Sequence, residues 1–153
     1  MDQNIEERLD LVESRFALHD LVSDYCHGFD KRDWKRFLAI WWPDAVWEIG
    51  PPFGNFSGHD GIEDVTKNIL WDAWLASSHF TTNLVVTFAG TDRATGICDV
   101  DCIGTTSDGK AQTVSATYSD EFERRDGVWK IIRRKVKMHH FNPLPGVTLS
   151  APE

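Results

Sequence analysis

A histidine and an aspartate far apart in the chain are the residue types best suited to moving a proton. Tyr25 and Asp30 lie at the end of a helical pattern whose inward side is apolar. A buried carboxylate needs a partner, because leaving it unpaired is costly. A carboxylate bonded to one imidazole nitrogen fixes the tautomer and stabilises the imidazolium, so the other nitrogen becomes a base near neutral pH. This chemistry requires that His79, at the start of a predicted strand, meets Asp30.

Each of these residues also has a structural interpretation. Taken alone, Asp30 is better explained as a cap of the helix that follows it, and a lone strand histidine is more often a satisfied core residue. Tyr25 is either a hydrogen-bond donor beside the pair or a rim aromatic with its hydroxyl in water. His139 and His140 are adjacent on a predicted strand and point to opposite faces, so we predict no metal site there.

The elements that would position these residues run from helices to strands. Helical periodicity predicts three helices, at residues 5–29, 33–40 and 59–76, with a short strand at 45–49. Alternation between turns then predicts four long strands, at residues 79–89, 95–106, 110–124 and 128–140. A tail at 142–153 is predicted to be extended. This order predicts one domain over 1–153, an α+β fold whose helices close a curved antiparallel sheet around a pocket.

Composition limits the classes of function. The chain has 153 residues and a formal charge of −8, which argues against nucleic acid or an anionic membrane surface as partners. Seven Trp and nine Phe fit either an aromatic-lined cavity or a Trp-rich core. The first ten residues carry four acids and do not resemble a secretory signal. Cys26, Cys98 and Cys102 are predicted to be reduced core thiols in a cytoplasmic protein.

Five segments of the chain resemble one family. They are Gly28-Phe29-Asp30-Lys31-Arg32, Ile40-Trp41-Trp42, Asn68-Ile69-Leu70-Trp71, His79-Phe80-Thr81-Thr82-Asn83-Leu84 and Glu123-Arg124-Arg125-Asp126-Gly127-Val128-Trp129-Lys130. They resemble the hexachlorocyclohexane dehydrochlorinases, in the SnoaL-like, nuclear-transport-factor-2-like superfamily that also holds scytalone dehydratase, bile acid dehydratases and ketosteroid isomerases. The resemblance implies a cone-shaped α+β barrel with a mixed or antiparallel sheet, no cofactor, and a homo-oligomer, expected to be a trimer.

The resemblance also implies the site residues. The family's His–Asp dyad falls on His79 and Asp30, and its arginine on the last strand falls on Arg134. Its pocket wall falls on Trp47, Leu70, Trp74, Val100, Cys102, Val114, Tyr118 and Met138. Periodicity supports this set, because the members that share a predicted strand are separated by even numbers of residues and point to one side. Leu70 and Trp74 are four apart on the predicted third helix and share a face.

Position 25 departs from the family pattern, since the dehydrochlorinases carry a lysine there. A halide leaves as an anion and is helped by a nearby cation, whereas a hydroxide needs a proton. A tyrosine hydroxyl donates a hydrogen bond to such a group, or polarises a carbonyl beside the acidic C–H. Bile acid dehydratases are similar here, with a tyrosine five residues before the dyad aspartate. Tyr25 therefore favours dehydration, while Arg134 keeps halide loss open.

The sequence and the resemblance together predict a lyase that acts on a hydrophobic cyclic small molecule. His79 would remove a proton beside the leaving group, and Asp30 would orient His79 and balance its charge. Tyr25 and Arg134 would stabilise the departing group or a developing enolate. The alternatives are an isomerase that uses the same base, a binding module that uses the cavity without chemistry, and a purely interactive role for the sheet.

Overall fold

The computed structural model describes residues 4–150, and it begins with helices that match the periodicity. Helix α1 spans Ile5–Asp30 and starts with a capping box, in which the Asn4 side chain accepts from the Glu7 N–H and Glu7 accepts from the Asn4 N–H. Helix α2 spans Trp34–Ala39, and the Asp33 carboxylate accepts from the Arg36 N–H at 3.1 Å. Both predicted helices are therefore confirmed, and Asp33 rather than Asp30 caps α2.

The remaining elements form one curved sheet. Its strands are β1 (Trp41–Gly50), β2 (Gly54–Ser57), β3 (Trp74–Thr81), β4 (Val85–Phe88), β5 (Arg93–Thr106), β6 (Ala111–Arg125) and β7 (Val128–Pro143). Their order is β2-β1-β7-β6-β5-β3. Strand β4 lies on the same edge of β5 as β3 and pairs with residues 94–97, whereas β3 pairs with residues 100–106. The β1–β7 pair is parallel, and the other pairs are antiparallel. The predicted α+β class with a curved mixed sheet is confirmed.

The third predicted helix, at 59–76, is confirmed as far as Ala73, although it is not a regular α-helix throughout, and it is wrong at its last three residues. Helix α3 covers only Gly58–Val65, a π-helical turn follows at Thr66–Leu70, and a single turn, α4, covers Trp71–Ala73. From Trp74 onward the chain is β3, because it pairs with residues 100–106 of β5. The apolar spacing there could not separate a helix from an edge strand, since tertiary pairing decides the outcome.

Other boundaries also differ from the predictions. The strand predicted at 45–49 starts earlier, at Trp41, and the predicted loop after it contains β2. The long strand predicted at 79–89 is two strands, because the Asn83 side chain exchanges two hydrogen bonds with Asp99 where the ladder would continue. The predicted tail is strand up to Pro143 and irregular from 144 to 150, and its residues 151–153 lie outside the described range.

The core lies between the helices and the concave side of the sheet. Helix α1 buries one side against it, with the side chains Leu18, Val22, Tyr25, Cys26 and Phe29. Gly28 permits close contact with α2, since a Cβ there would lie 2.8 Å from the Phe37 backbone. The three cysteines are buried and unbridged. Among residues 4–150, no helix is long and apolar enough to cross a membrane.

Candidate active site

Asp30 and His79 meet where the end of α1 reaches β3. Asp30 Oδ1 lies 2.6 Å from His79 Nδ1, and Asp30 Oδ2 accepts the backbone N–H of His79 at 2.7 Å. The Ser77 hydroxyl donates to Asp30 Oδ1 at 2.7 Å. The carboxylate is therefore fixed by three contacts from one strand, and it holds the imidazole by one ring nitrogen. The two side chains are only 15% and 11% exposed.

The electrostatics keep Asp30 ionised. Burial alone would raise the pKa of its carboxyl, but the hydrogen bonds from His79 and Ser77 and the charge of His79 outweigh burial and lower that pKa below its usual value. An anionic Asp30 can only accept a hydrogen bond, so the contact with His79 Nδ1 orients the imidazole ring. Within residues 4–150, no hydrogen bond engages His79 Nε2, and the His79 ring lines the cavity described next.

An apolar cavity of about 600 Å³, including its open mouth, lies beside this pair. All eight wall positions implied by the family resemblance line it. The other lining residues are Tyr25, Phe29, Ile49, Phe53, His79, Ala116, Val136 and Phe141. A hollow with apolar walls and few polar groups suits a hydrophobic small molecule.

The sheet register explains how distant wall residues come together. His79 pairs with Cys102 and Cys102 pairs with Val114, so these three side chains form one row across β3, β5 and β6. Burial raises the pKa of the Cys102 thiol to about 12, so it is a neutral, apolar part of the wall. Leu70 and Trp74 both reach the cavity, but not from one helix as predicted, since Leu70 is on the π-helical turn and Trp74 begins β3.

Several lining residues were missed by the sequence reasoning. Ile49, Ala116 and Val136 are each two positions from a predicted wall residue or from Arg134, so strand alternation alone would have found them. Phe53 and Phe141 gave no such signal. Phe53 follows a Gly-Pro-Pro loop and Phe141 lies beyond the predicted end of β7, yet their rings are 6.0 Å apart.

Tyr25 is buried in the cavity wall, so the interpretation of a rim residue in water is wrong. It is 3% exposed, and its hydroxyl oxygen lies 3.5 Å from that of Tyr118. Burial raises the pKa of both phenols well above the usual value. Both therefore stay protonated at neutral pH and serve as hydrogen-bond donors. Where Tyr118 donates to Tyr25, the Tyr25 O–H is left to donate to a bound molecule.

Arg134 lies one layer behind the cavity wall. Its guanidinium carbon lies 4.2 Å from the ring centroid of Tyr25 and 4.3 Å from that of Tyr118. Its Nε and Nη2 donate to the Asp120 carboxylate at 2.8 and 2.7 Å, and the ion pair is fully buried. Burial alone would lower the pKa of Arg134, but the charge of Asp120 raises it and keeps the guanidinium protonated. Contrary to expectation, its contacts are with the tyrosine rings and Asp120, and it is not among the lining residues.

Three buried donors around Tyr25 have no acceptor within residues 4–150; one is Trp41 Nε1, and the other two bear on the cavity. These two are Arg134 Nη1 and Trp47 Nε1. Trp47 pairs with Arg134 across the parallel β1–β7 ladder, and the Trp47 ring meets that of Tyr25 edge-on at 5.9 Å. Buried donors without an acceptor are uncommon in proteins, so both are available to a group that the described chain does not supply. The described residues contain no cluster of three or more side chains suited to a metal ion.

The family model described as a SnoaL-like domain matches residues 10–135, which is most of the chain. The chain belongs to the SnoaL-like family. Among curated SnoaL-like relatives, hexachlorocyclohexane dehydrochlorinase 1 of Sphingobium indicum is 40% identical over 145 residues, or 94% of both proteins. The gamma-hexachlorocyclohexane dehydrochlorinase of another Sphingobium indicum strain is 39% identical, covering 94% of this chain and 92% of the relative.

Solved SnoaL-like structures agree with this assignment. The structure of LinA superposes with a TM-score of 0.91 at 38% identity, covering 95% of this chain and 99% of LinA. The type 3 LinA of Novosphingobium barchaimii gives a TM-score of 0.89 at 39% identity, with coverage of 95% and 99%. The curated relatives are dehydrochlorinases, which are lyases, so the predictions of the family and of a lyase-type enzyme are confirmed.

Proposed function

We propose that this SnoaL-like chain is a cofactor-independent lyase that eliminates water or a hydrogen halide from a hydrophobic cyclic substrate, with His79 as the base. The observation that carries the proposal is the 2.6 Å contact between His79 Nδ1 and Asp30 Oδ1 at the wall of an apolar cavity. Because Nδ1 faces the carboxylate, Nε2 is the nitrogen that meets the substrate. The homo-trimer implied by the resemblance stays a prediction.

The reaction begins with a proton transfer. His79 Nε2 takes a proton from a substrate carbon next to the leaving group, and the electrons of that C–H bond form a C=C bond. The leaving group departs with the electrons of its bond to carbon. A departing hydroxide takes up the proton from His79 and leaves as water, whereas after loss of a halide the proton passes from His79 to solvent. Asp30 keeps the ring oriented and balances the imidazolium charge.

The leaving group would depart toward Tyr25. The Tyr25 hydroxyl donates a hydrogen bond, Trp47 Nε1 is a second donor without an acceptor in the described chain, and the Arg134 guanidinium adds positive charge behind the tyrosine ring. These groups favour negative charge on a departing oxygen or halogen. Tyr25 in place of the family's lysine favours an oxygen, and Arg134 keeps a halide compatible with the site.

An isomerase is the second candidate, and the Tyr25–Tyr118 hydroxyl pair is the observation that favours it. Two buried phenols beside a base suit a ketone, whose enolate they would stabilise while His79 returns the proton to another carbon. Product mass separates the two candidates. Elimination lowers the mass of the product by water or hydrogen halide, whereas isomerisation leaves it unchanged.

The direct experiment is a panel of steroid, terpenoid and chlorinated cyclic compounds, with products read by mass spectrometry. We expect one class to lose water or hydrogen halide with the wild-type chain. The variants His79→Gln and Asp30→Asn should each lower turnover by about 10²–10⁴-fold, because general base catalysis contributes in this range. His139→Gln is the matched control, since His139 is an exposed strand histidine that contacts Thr117. Full turnover by both dyad variants, with folding intact, would contradict the proposal.

A further inference from the structure

Helix α1 carries a second apolar stripe on the side away from the core. It consists of Ile5, Leu9, Val12 and Phe16, which are 73%, 55%, 50% and 67% exposed. The buried side of the same helix carries Leu18, Val22, Tyr25, Cys26 and Phe29. Each residue of an α-helix advances by about 100°, so the centre of the stripe lies about 125° around the helix from the centre of the buried side. The apolar periodicity that predicts the helix therefore includes residues of the exposed stripe as well as residues of the buried side.

The spacing of this α1 stripe is that of a coiled-coil seam. Its steps are four, three and four residues, so Ile5 and Val12 occupy d positions and Leu9 and Phe16 occupy a positions of a heptad. Such a seam buries its side chains against a second helix of matching pattern. The helix is already formed and capped, so association does not require the cost of nucleating it.

The charges beside the stripe specify the partner. One edge, the e positions, carries Glu6, Glu13 and Asp20, and the other edge, the g positions, carries Arg8 and Arg15. All five are exposed, and none forms an ion pair within residues 4–150. Arg15 also stacks over the Phe88 ring, at 5.4 Å. Beside the stripe one edge is thus acidic and the other basic, and the next g position, Val22, is buried in the core of its own chain.

We propose that the α1 stripe binds the α1 stripe of another copy of this chain, with the two helices parallel. In a parallel pair each g residue faces the e residue five positions later on the partner, so Arg8 meets Glu13 and Arg15 meets Asp20 of the other copy. In an antiparallel pair g faces g and e faces e, which sets arginine against arginine and acid against acid. Only the parallel arrangement places opposite charges against each other along both edges of the stripe.

The first test is the mass of the assembly, measured by sedimentation equilibrium. We expect the wild-type chain to sediment as a multiple of 17.4 kDa. The Val12→Glu variant should give a smaller mass, because the copies joined through α1 would separate. The matched control is Val128→Glu, since Val128 is 51% exposed and lies at the start of β7, next to the β6–β7 turn. It should leave the mass unchanged. Equal masses for the wild-type chain and Val12→Glu would overturn the proposal.

The second test determines the orientation of the helices by disulfide cross-linking. A parallel pair places the d position at residue 5 beside its own equivalent, so Ile5→Cys alone should cross-link on oxidation. In an antiparallel pair the two residues 5 lie roughly 16 Å apart along the axis, and Ile5→Cys would cross-link to Phe16→Cys instead. The native cysteines are at most 7% exposed and do not compete. Cross-linking only between the two different variants would overturn the parallel arrangement.

The third test exchanges the edge charges. The double variant Arg8→Glu with Arg15→Glu makes both edges acidic, and Glu13→Arg with Asp20→Arg makes basic the two e positions that the arginines face. Each variant alone should lose the association, and an equimolar mixture of the two should restore it. Recovery of the mass on mixing is a result that misfolding of either variant does not produce. Association of either variant alone at the wild-type level would contradict the assigned ion pairs.

Discussion

At the residue scale, the contacts of Asp30 explain how the carboxylate and the His79 ring hold each other in place. The carboxylate accepts hydrogen bonds from the ring and the backbone N–H of His79 and from the hydroxyl of Ser77. Neither the Asp30 carboxylate nor the His79 ring is therefore free to rotate away. Sequence reasoning could name both residues, because acids on inward helix faces need partners. It could not establish that they touch, because that depends on β3 crossing the end of α1.

Tyr25 is the residue whose replacement best separates loss of oxygen from loss of halide. Tyr25→Phe keeps the ring that packs against Trp47 and Arg134 but removes the hydroxyl. We expect turnover of hydroxyl-bearing or keto substrates to fall by about 10²-fold, since one preorganised donor is typically worth that much. Steady-state kinetics on hydroxylated and chlorinated substrates would measure the difference.

Tyr118→Phe is the control for that comparison. It removes the neighbouring hydroxyl, 3.5 Å from that of Tyr25, and should reduce turnover less. An equal effect of Tyr25→Phe on both substrate classes would argue against a role for the Tyr25 hydroxyl at the departing oxygen.

At the element scale, the junction between α1 and α2 positions Asp30. Gly28 lies two residues before Asp30, and an added Cβ would meet the backbone of Phe37 at 2.8 Å. An ordinary helix interior gains stability when glycine becomes alanine, by about 0.5–1 kcal/mol. Here the overlap reverses the sign, and Gly28→Ala should lower the free energy of unfolding by about 1–3 kcal/mol.

Urea unfolding would measure this effect against a matched glycine. Gly61 lies within α3, and a Cβ there would be 3.6 Å from Phe56, an ordinary contact. Gly61→Ala should therefore be neutral or stabilising. If both variants changed stability equally, the close contact of α1 with α2 would not be the cause.

Elements were predictable where a local pattern decides them and not where pairing does. The ranges of α1, α2, β5 and β6 follow from periodicity and turns to within a few residues. The segment from Trp74 to His79 was misassigned in part, because its apolar spacing also fits a helix and only pairing with β5 makes it a strand. The break after Thr81 depends on a side-chain contact between Asn83 and Asp99, which no local pattern encodes.

At the scale of the whole molecule, the curvature of the sheet produces the cavity. The parallel contact of β1 with β7 sets Trp47 beside Arg134, and the antiparallel contact of β7 with β6 sets Arg134 beside Asp120. These pairings join residues far apart in the chain. Strand alternation alone could therefore not show that Arg134 lies behind the cavity wall and not in it. The wall residues themselves were predictable, because a resemblance and a period of two agree on them.

The central claim, that His79 is the base, is tested most directly by chemical rescue. His79→Ala leaves a space beside Asp30 that free imidazole can enter. We expect this variant to lose turnover and to regain part of it in proportion to added imidazole, while His139→Ala stays at the wild-type rate without imidazole. Full turnover by His79→Ala in the absence of imidazole would contradict the account.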